Sequence, residues 1–413
     1  MTCLITGKKG PAQKVHPSIK GVVGAQSSGA ALVSFNSDAL CSYGHEQNLN
    51  APVSKYAAFA YTTALNALLA DRAHLGRIGD ATVLFWAQNG KSAYQDFFRM
   101  SLFEDTAAEA NADADGPDAQ VSLFDPPGGY SAADLQRMML DLCRGQSVVF
   151  DETQLDPDAT FYILGLSPNA ARLSVRFFLR NSFGHFLQNI QAHNERLAIV
   201  KPKGYRYATI PVWRLLSETV NQKSSDKSPA PGLAGEMLQA VLNDTRYPAT
   251  LLNGMTLRIR AEREVNCVRA AILKAYYLKN SHREVPKEVL TVSLNPESTN
   301  IPYVLGRLFS VYEAIQTAAN PGINATIKDK YFNSAAATPA SIFPILGGLA
   351  QKHLKKLRGG NRGLCVMYEK QLSELAGLLG ETFPARMSLP QQGSFQLGYY
   401  QQTQARYQKK EEE

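Results

Sequence analysis

Between residues 159 and 198 the hydrophobic pattern passes from a period of two to helical spacing, and no other stretch constrains the fold as tightly. Residues 161–166 read as a strand, Ser167-Pro168-Asn169 as a turn, and residues 172–180 as a second strand. In the second strand Leu173, Val175, Phe177 and Leu179 alternate with Arg172, Ser174, Arg176 and Phe178. That alternation predicts one apolar face and one face carrying two arginines. Ser182 can cap a following helix whose Phe186, Ile190 and Leu197 face the sheet. A hairpin with a packed helix is an α+β unit. Its aromatics invite comparison with an RNA-recognition sheet, but the glycine and alternating aromatics of that signature are missing. Phe161, Phe177 and Phe178 are therefore expected in the core.

Upstream, Ser54 is placed to cap a helix over residues 55–69, with Ala58, Tyr61, Leu65 and Leu68 as its apolar stripe and Phe59, Thr63 and Asn66 on another side. Residues 82–86 read as a buried strand and residues 135–142 as a short helix. Acids, alanines, prolines and glycines without a sustained period predict a mobile loop over residues 104–130. Downstream, a helix over residues 213–220 stops at a polar linker, residues 221–232, and nearly everything after Leu233 is helical in pattern. Val265, Val268, Ile272 and Tyr276 form one stripe, with Arg258, Arg263, Arg269 and Lys274 around it. Further stripes are Val304, Leu308, Val311 and Ile315; Ile342, Leu346, Leu349 and Leu357, after Thr338 as cap; Leu364, Met367, Leu375 and Leu378; and Phe395 with Tyr399. Short links between such helices predict an antiparallel bundle. The expected fold is α+β: a mixed region over residues 1–220, the linker 221–232, a basic helical region 233–291, and a C-terminal bundle 292–413. Pro286 and a strand-like run over residues 289–294 mark the last boundary.

A chain of 413 residues is long enough for two or three cores. No apolar run approaches a membrane span and no signal-peptide pattern opens the chain, which leads to the expectation of a cytoplasmic protein. Five widely spaced cysteines with no C-x-x-C pair argue against disulfides and against a cysteine-type zinc site. The net charge of +7 is unevenly distributed: residues 104–118 carry only acids, whereas 256–287 and 351–362 are basic. Uneven charge of this kind suits a polyanion, although basic helices are often only solvated surface. The seven histidines fall singly, Asp113, Asp115 and Asp118 lack the pattern of a calcium loop, and Cys3 with His16 is the one conceivable nucleophile and base. No active site emerges, and no cofactor or metal is expected.

The most unusual composition lies in residues 20–51. Gly21, Gly24 and Gly29 interrupt it, and Gln26, Ser27, Ser28, Ser34, Asn36, Ser42, Gln47, Asn48 and Asn50 crowd around them. Such a segment offers amides and hydroxyls on a backbone able to come close to a ligand. Gly24 to Gly29 has the G-x-x-x-x-G spacing of a phosphate loop, yet Ala30 and Ala31 stand where lysine and Ser/Thr are required. Two readings stay open: a ligand-contacting loop, or a steric turn ahead of a strand at residues 31–35.

The same stretch, IKGVVGAQSSGAALVSFN with SYGHEQ and NAPVS, resembles the large subunit of type I-C CRISPR Cascade complexes. The resemblance continues in WRLLSETVNQKSSDKSPAPGLAGEML, VLTVSLNPESTNIPYVLGRLFSVYEAIQ, NPGINATIKDKYFNSAAATPASIFP and LPQQGSFQLGYYQQ, over nearly the whole chain. Members usually start well upstream of such a beginning, so the expectation is a chain lacking the N-terminal part. His45 stands where the family pattern leads one to expect a longer cation.

The resemblance implies a non-catalytic, RNA-guided DNA-binding subunit. Its partners would be a crRNA ribonucleoprotein (repeat-handle-binding and backbone subunits), a small subunit, target double-stranded DNA and a recruited helicase-nuclease. The small subunit would arise from an internal start, for which Met255 and Val292 are candidates. Pairing with the guide reads the sequence, and the protein needs only a short duplex reader for the flanking motif and positive surfaces for opened strands. The candidate reader is Lys20, Gly24, Gln26, Ser27, Ser28, Gly29, Ser34, Asn36, Gln47 and Asn50. The candidate backbone contacts are Arg258, Arg263, Arg269, Lys274, Lys352, Lys355, Lys356, Arg358 and Arg362. The alternatives are a purely structural scaffold subunit and a nucleotide-binding enzyme centred on the loop from Gly24 to Gly29.

Overall fold

The computed structural model describes residues 1–35, 37–103, 130–205 and 209–407. The loop expected over residues 104–130 lies outside them except for Tyr130. Among the described residues, thirteen α-helices and six strands give an α+β fold, with a sheet in the N-terminal half and helices beyond it. The chain forms two compact units. The first is Met1–Gln191, Pro211–Trp213 and Ser228–Asp244; the second is Ala192–Ile210, Arg214–Lys227 and Thr245–Glu413. Residues 221–232 thus contain one crossing between units, and the others fall at 191/192, 210/211, 213/214 and 244/245. Residues 233–244 belong to the first unit, and residues 245–291 share the second with the helices beyond 292.

The first unit contains α1 (Lys55–Ala70), β1 (Leu75–Ile78), β2 (Ala81–Ala87), α2 (Ser92–Phe103), α3 (Ala132–Cys143), β3 (Val148–Phe150), β4 (Thr153–Leu155), β5 (Thr160–Asn169) and β6 (Arg172–Ser182). It also holds the start of α4 (Phe183–Leu197) and α6 (Leu233–Leu242), while α5 (Val212–Ser217) crosses between units. As expected, Ser54 caps α1 by accepting from Ala57 N (3.2 Å), and Ser182 accepts from His185 N (3.3 Å) at the start of α4. The main sheet has the order β1-β2-β5-β6 and is antiparallel throughout. Phe85 and Phe161 pack from one face onto Phe98, Phe103, Phe183 and Phe186. From the other face Leu84, Leu164, Leu166 and Leu173 meet Ile19, Val22, Ala30 and Leu69.

Three expectations change here. The turn falls later than predicted: Ser167, Pro168 and Asn169 still pair with Ser174, Leu173 and Arg172, and the chain reverses at Ala170, whose φ is +53°. The alternation of β6 is broken by a bulge. Gly165 pairs with Phe177 and Leu166 with Val175, which leaves Arg176 as an extra residue. Past an extra residue every side chain changes face. Phe177 is buried over Gly165, where a Cβ would lie 2.5 Å from its ring, whereas Phe178 emerges 56% exposed instead of joining the core. Residues 31–35 are not a strand: Ala31 alone bridges the outer edge of β6, accepting from Leu173 N (3.0 Å) and donating to Ala171 O (3.0 Å).

The second unit contains α7 (Ala249–Glu262), α8 (Cys267–Asn280), α9 (Ile301–Ala319), α10 (Ile327–Ala337), α11 (Pro339–Gly360), α12 (Arg362–Gly377) and α13 (Leu389–Ala405). The expected stripe of α9 and the pair Phe395 and Tyr399 are buried. Thr338 precedes α11 without a side-chain cap bond, and the run 289–294 is not a strand: a 3-10 turn, Lys287–Val289, ends at its first residue and the rest is irregular. In α12 the buried stripe is Cys365, Tyr368 and Leu375, and Met367 is exposed. A helical period marks both phases equally, so packing chose between them.

Helices α9 and α13 form the most extensive helix pair. A Cβ on Gly306 would stand 1.9 Å from Phe395 O, and one on Gly398 would stand 2.1 Å from Tyr303 O. The two backbones touch, and only glycine leaves room. The substitutions Gly306→Ala and Gly398→Ala are each expected to lower the unfolding free energy by about 3 kcal/mol in denaturant titration. Gly348→Ala, which meets open space in α11, is expected to stabilise by up to about 1 kcal/mol. Equal small effects at all three positions would contradict the close crossing.

Candidate nucleic-acid interface

The glycine-rich stretch is a loop with a fixed root and a free tip. Ile19 N donates to Ala30 O and Ala30 N to Ile19 O, both at 2.9 Å, closing residues 20–29 into a loop. Within it Ala25 N donates to Val22 O (3.2 Å) and Gly29 N to Gln26 O (2.9 Å). Glycine is required at position 29: φ is +101°, and a Cβ would lie 2.8 Å from the Cβ of Ser18. Ile19, Val22 and Ala30 are buried on the sheet, so the segment holds more apolar surface than its composition suggests. From α1, Asn66 accepts from Lys20 N (2.8 Å) and donates to Ser18 O (3.2 Å); from the sheet, Thr82 Oγ1 accepts from Val23 N (3.3 Å).

Gln26, Ser27 and Ser28 are exposed at the tip, and no described residue holds their side chains. Lys20 and Gly24 are also exposed, Gly24 with φ +77°, while Gly29 is buried and Ser34 half-buried. Asn36 lies outside the described residues. Gln47 is exposed with φ +52°. Asn50 is committed to its own loop: its amide donates to Leu40 O (2.8 Å) and Ser42 O (3.2 Å), and its Oδ1 faces His45 Nδ1 at 3.0 Å. No helix begins after Gly29, so the loop does not supply the helix N-terminus that a phosphate loop uses.

The basic residues divide by burial. Arg269 is 4% exposed and bound to Glu218 (2.7 Å) and Glu262, while Arg258 pairs with Glu262. Burial opposes the charge of Glu262, but the guanidiniums of Arg258 and Arg269 hold its carboxyl below the usual range. Lys274 is 3% exposed and donates to Arg196 O (2.9 Å), one of the last carbonyls of α4. The expectation that Arg269 and Lys274 are free to contact a DNA backbone is therefore corrected: α8 is packed on nearly all sides, and these two charges are internal. Arg263, in the left-handed C-cap of α7, is exposed.

On α11, Leu354 and Leu357 turn inward and Lys352, Lys355 and Lys356 outward, as helical spacing predicts. Lys356 Nζ donates to Asn320 Oδ1 (2.8 Å) and Arg358 pairs with Glu369. Arg362 is exposed but opens α12 after the break at Asn361, so it does not share the α11 face.

Other chemistry was sought in the same way. His16 does not face Cys3: its Nδ1 lies 2.6 Å from the Tyr61 hydroxyl, and its Nε2 accepts from the Asn48 amide at 2.7 Å. Burial lowers the His16 pKa and favours this neutral form. Among the described residues no three His, Cys, Asp or Glu side chains converge as a metal site requires, and Asp113, Asp115 and Asp118 lie outside them. No described helix is long and apolar enough to cross a membrane.

Burial drives the Lys274 pKa down to about 8 from 10.5. Between those values the unfolded chain binds more protons than the folded one, so folding stability gains with rising pH across the window. A Lys274→Met variant is expected to lose that gain, about 3 kcal/mol when complete. Denaturant titrations of both proteins across the window check this, and parallel pH profiles would contradict it.

The comparisons with known proteins concern the chain as a whole. No curated protein matches it. The family model described as CRISPR-associated protein (Cas_Csd1) matches residues 1–407, nearly the full length, and the chain belongs to that family.

Proposed function

We propose that this chain is the non-catalytic large subunit of a type I-C CRISPR Cascade complex. In this reading it recognises the short motif flanking the target in double-stranded DNA, helps hold the strands of the R-loop, and supports recruitment of the helicase-nuclease that cuts. Its partners are the crRNA ribonucleoprotein with its repeat-handle-binding and backbone subunits, and the small subunit. Membership of the Cas_Csd1 family supports the CRISPR setting. The observation that carries the DNA-reading role is the loop over residues 20–29. Its root is held by the pair Ile19 and Ala30, by Asn66 and by Thr82, and its tip presents Gln26, Ser27 and Ser28 without protein partners.

A rigid root with free amide and hydroxyl groups is what base-edge reading needs, because donors and acceptors fixed in advance lose little entropy on docking. Guide pairing carries the long sequence, so one such loop suffices on the protein side. Lys352 and Lys355, together with Arg263 and Arg362, supply exposed cations for phosphates, whereas Arg269 and Lys274 serve the interior.

Two measurements test this reading. Alanine at Gln26, Ser27 or Ser28 is expected to cost about 1–3 kcal/mol in gel-shift binding of duplex with the correct flanking motif, with non-specific binding unchanged. Equal loss on every flanking sequence would leave the loop a structural element of a scaffold. Replacing Lys352, Lys355 and Lys356 by alanine is expected to lower the salt slope of binding by about 0.7–0.9 per phosphate contact, independent of sequence. An unchanged slope would make this face of α11 merely solvated.

A further inference from the structure

The bulge in β6 produces a surface that the proposed role does not use. Trp86 and Tyr162 are cross-strand partners on β2 and β5, with ring centroids 5.3 Å apart and planes 12° from parallel. Phe178 closes a triangle with them at 6.2 and 6.4 Å, and it is 56% exposed. Arg180 is the cross-strand partner of Tyr162 on the other side, with its guanidinium 5.8 Å from the Tyr162 ring centroid.

These groups lie on the sheet face that bears the root of the glycine loop. Leu84, Leu164, Leu166 and Leu173 are covered there by Ile19, Val22 and Ala30; Trp86 packs half-buried against the margin of that cluster, Tyr162 is half-buried, and Phe178 stands exposed. By register and alternation, the charged strand residues on this face are Arg77 and Arg180, both cations and both exposed. Flat apolar rings beside cations are the pattern that accepts unpaired nucleobases on the rings and phosphates on the cations.

We propose that Trp86, Tyr162, Phe178 and Arg180 form a stacking site for single-stranded DNA. Bases stack on Phe178 and the rings behind it, and Arg180 contacts a phosphate. The proposal rests on the nucleic-acid part of the function above, and deepens it by assigning unpaired DNA to a separate place from the duplex-reading loop.

Tryptophan fluorescence tests this directly, since the chain has two tryptophans, Trp86 and Trp213. In a full-length Trp213→Phe background, oligothymidylate is expected to quench Trp86 saturably. Phe178→Ala is expected to weaken that binding at least about fivefold, with the thermal transition and the binding of motif-bearing duplex unchanged. Arg180→Ala is expected to lower the salt slope on oligothymidylate by about 0.7. Absence of quenching overturns the proposal, as does a Phe178→Ala loss that is equal on duplex. Oligouridylate binding tighter than oligothymidylate overturns the assignment to DNA. If duplex binding proves blind to the flanking motif while oligothymidylate still quenches, the stacking site stands and the motif-reading role falls.

Discussion

The extra residue at Arg176 sets what each face of the sheet does. Without it, Leu173, Val175, Phe177 and Leu179 would all share one face with Phe178 on the other, and β6 could not satisfy both faces of its sheet. With it, Leu173 remains under the loop root while Phe177 fills the opposite core over Gly165. A strand changes face at the expense of one disturbed ladder position, and bulges commonly re-aim side chains next to functional surfaces. Here the re-aimed side chains are Phe178 and Arg180, on the same face as Ile19 and Ala30.

In the second unit the corresponding constraint is the glycine contact between α9 and α13. Backbones that touch bring the neighbouring side chains close, and Phe309, Phe332, Phe395 and Tyr399 interlock edge to face around the crossing. The polar residues of α13 are drawn in with it. Gln401 Oε1 accepts from the Tyr303 hydroxyl at 2.5 Å, and Gln402 Oε1 accepts from Arg307 Nε at 3.0 Å. Those bonds make a glutamine-rich helix a core helix, because buried amides with partners carry little penalty.

Charge in this unit has two roles that residue type alone does not separate. Arg269, held among Glu218, Glu262 and the Glu264 carbonyl, organises the interior. Removing one partner of such a buried pair leaves the other uncompensated, a loss of about 3–5 kcal/mol. Lys352 and Lys355 sit on an open helix face, where the ammonium keeps its hydration and can exchange it for phosphate. Within residues 256–287, Arg269 and Lys274 therefore belong to folding, whereas Arg263 there and Lys352 and Lys355 on α11 remain exposed.

The sequence by itself determined the α+β class, the helix α1 with its Ser54 cap, the strands β2, β5 and β6, the helix α4, and the stripes of α9 and α13. These depend on local periodicity and on caps, both of which are short-range. It also singled out residues 20–51 from their glycines and polar residues, within which the pairing of Ile19 with Ala30 marks off the loop over residues 20–29. Only the tertiary structure decided the rest. Periodicity cannot show that α8 is enclosed on nearly all sides, so Arg269 and Lys274 read as surface cations until their partners are seen. A bulge is one residue of register, invisible until β6 is paired with β5, so Phe178 read as core. The strand expected at residues 31–35 found a ladder partner only for Ala31, since strands are completed by distant neighbours. Asn50 looked like a free amide and is tied to Leu40, Ser42 and His45. In each case the deciding contact joins residues that local pattern does not connect.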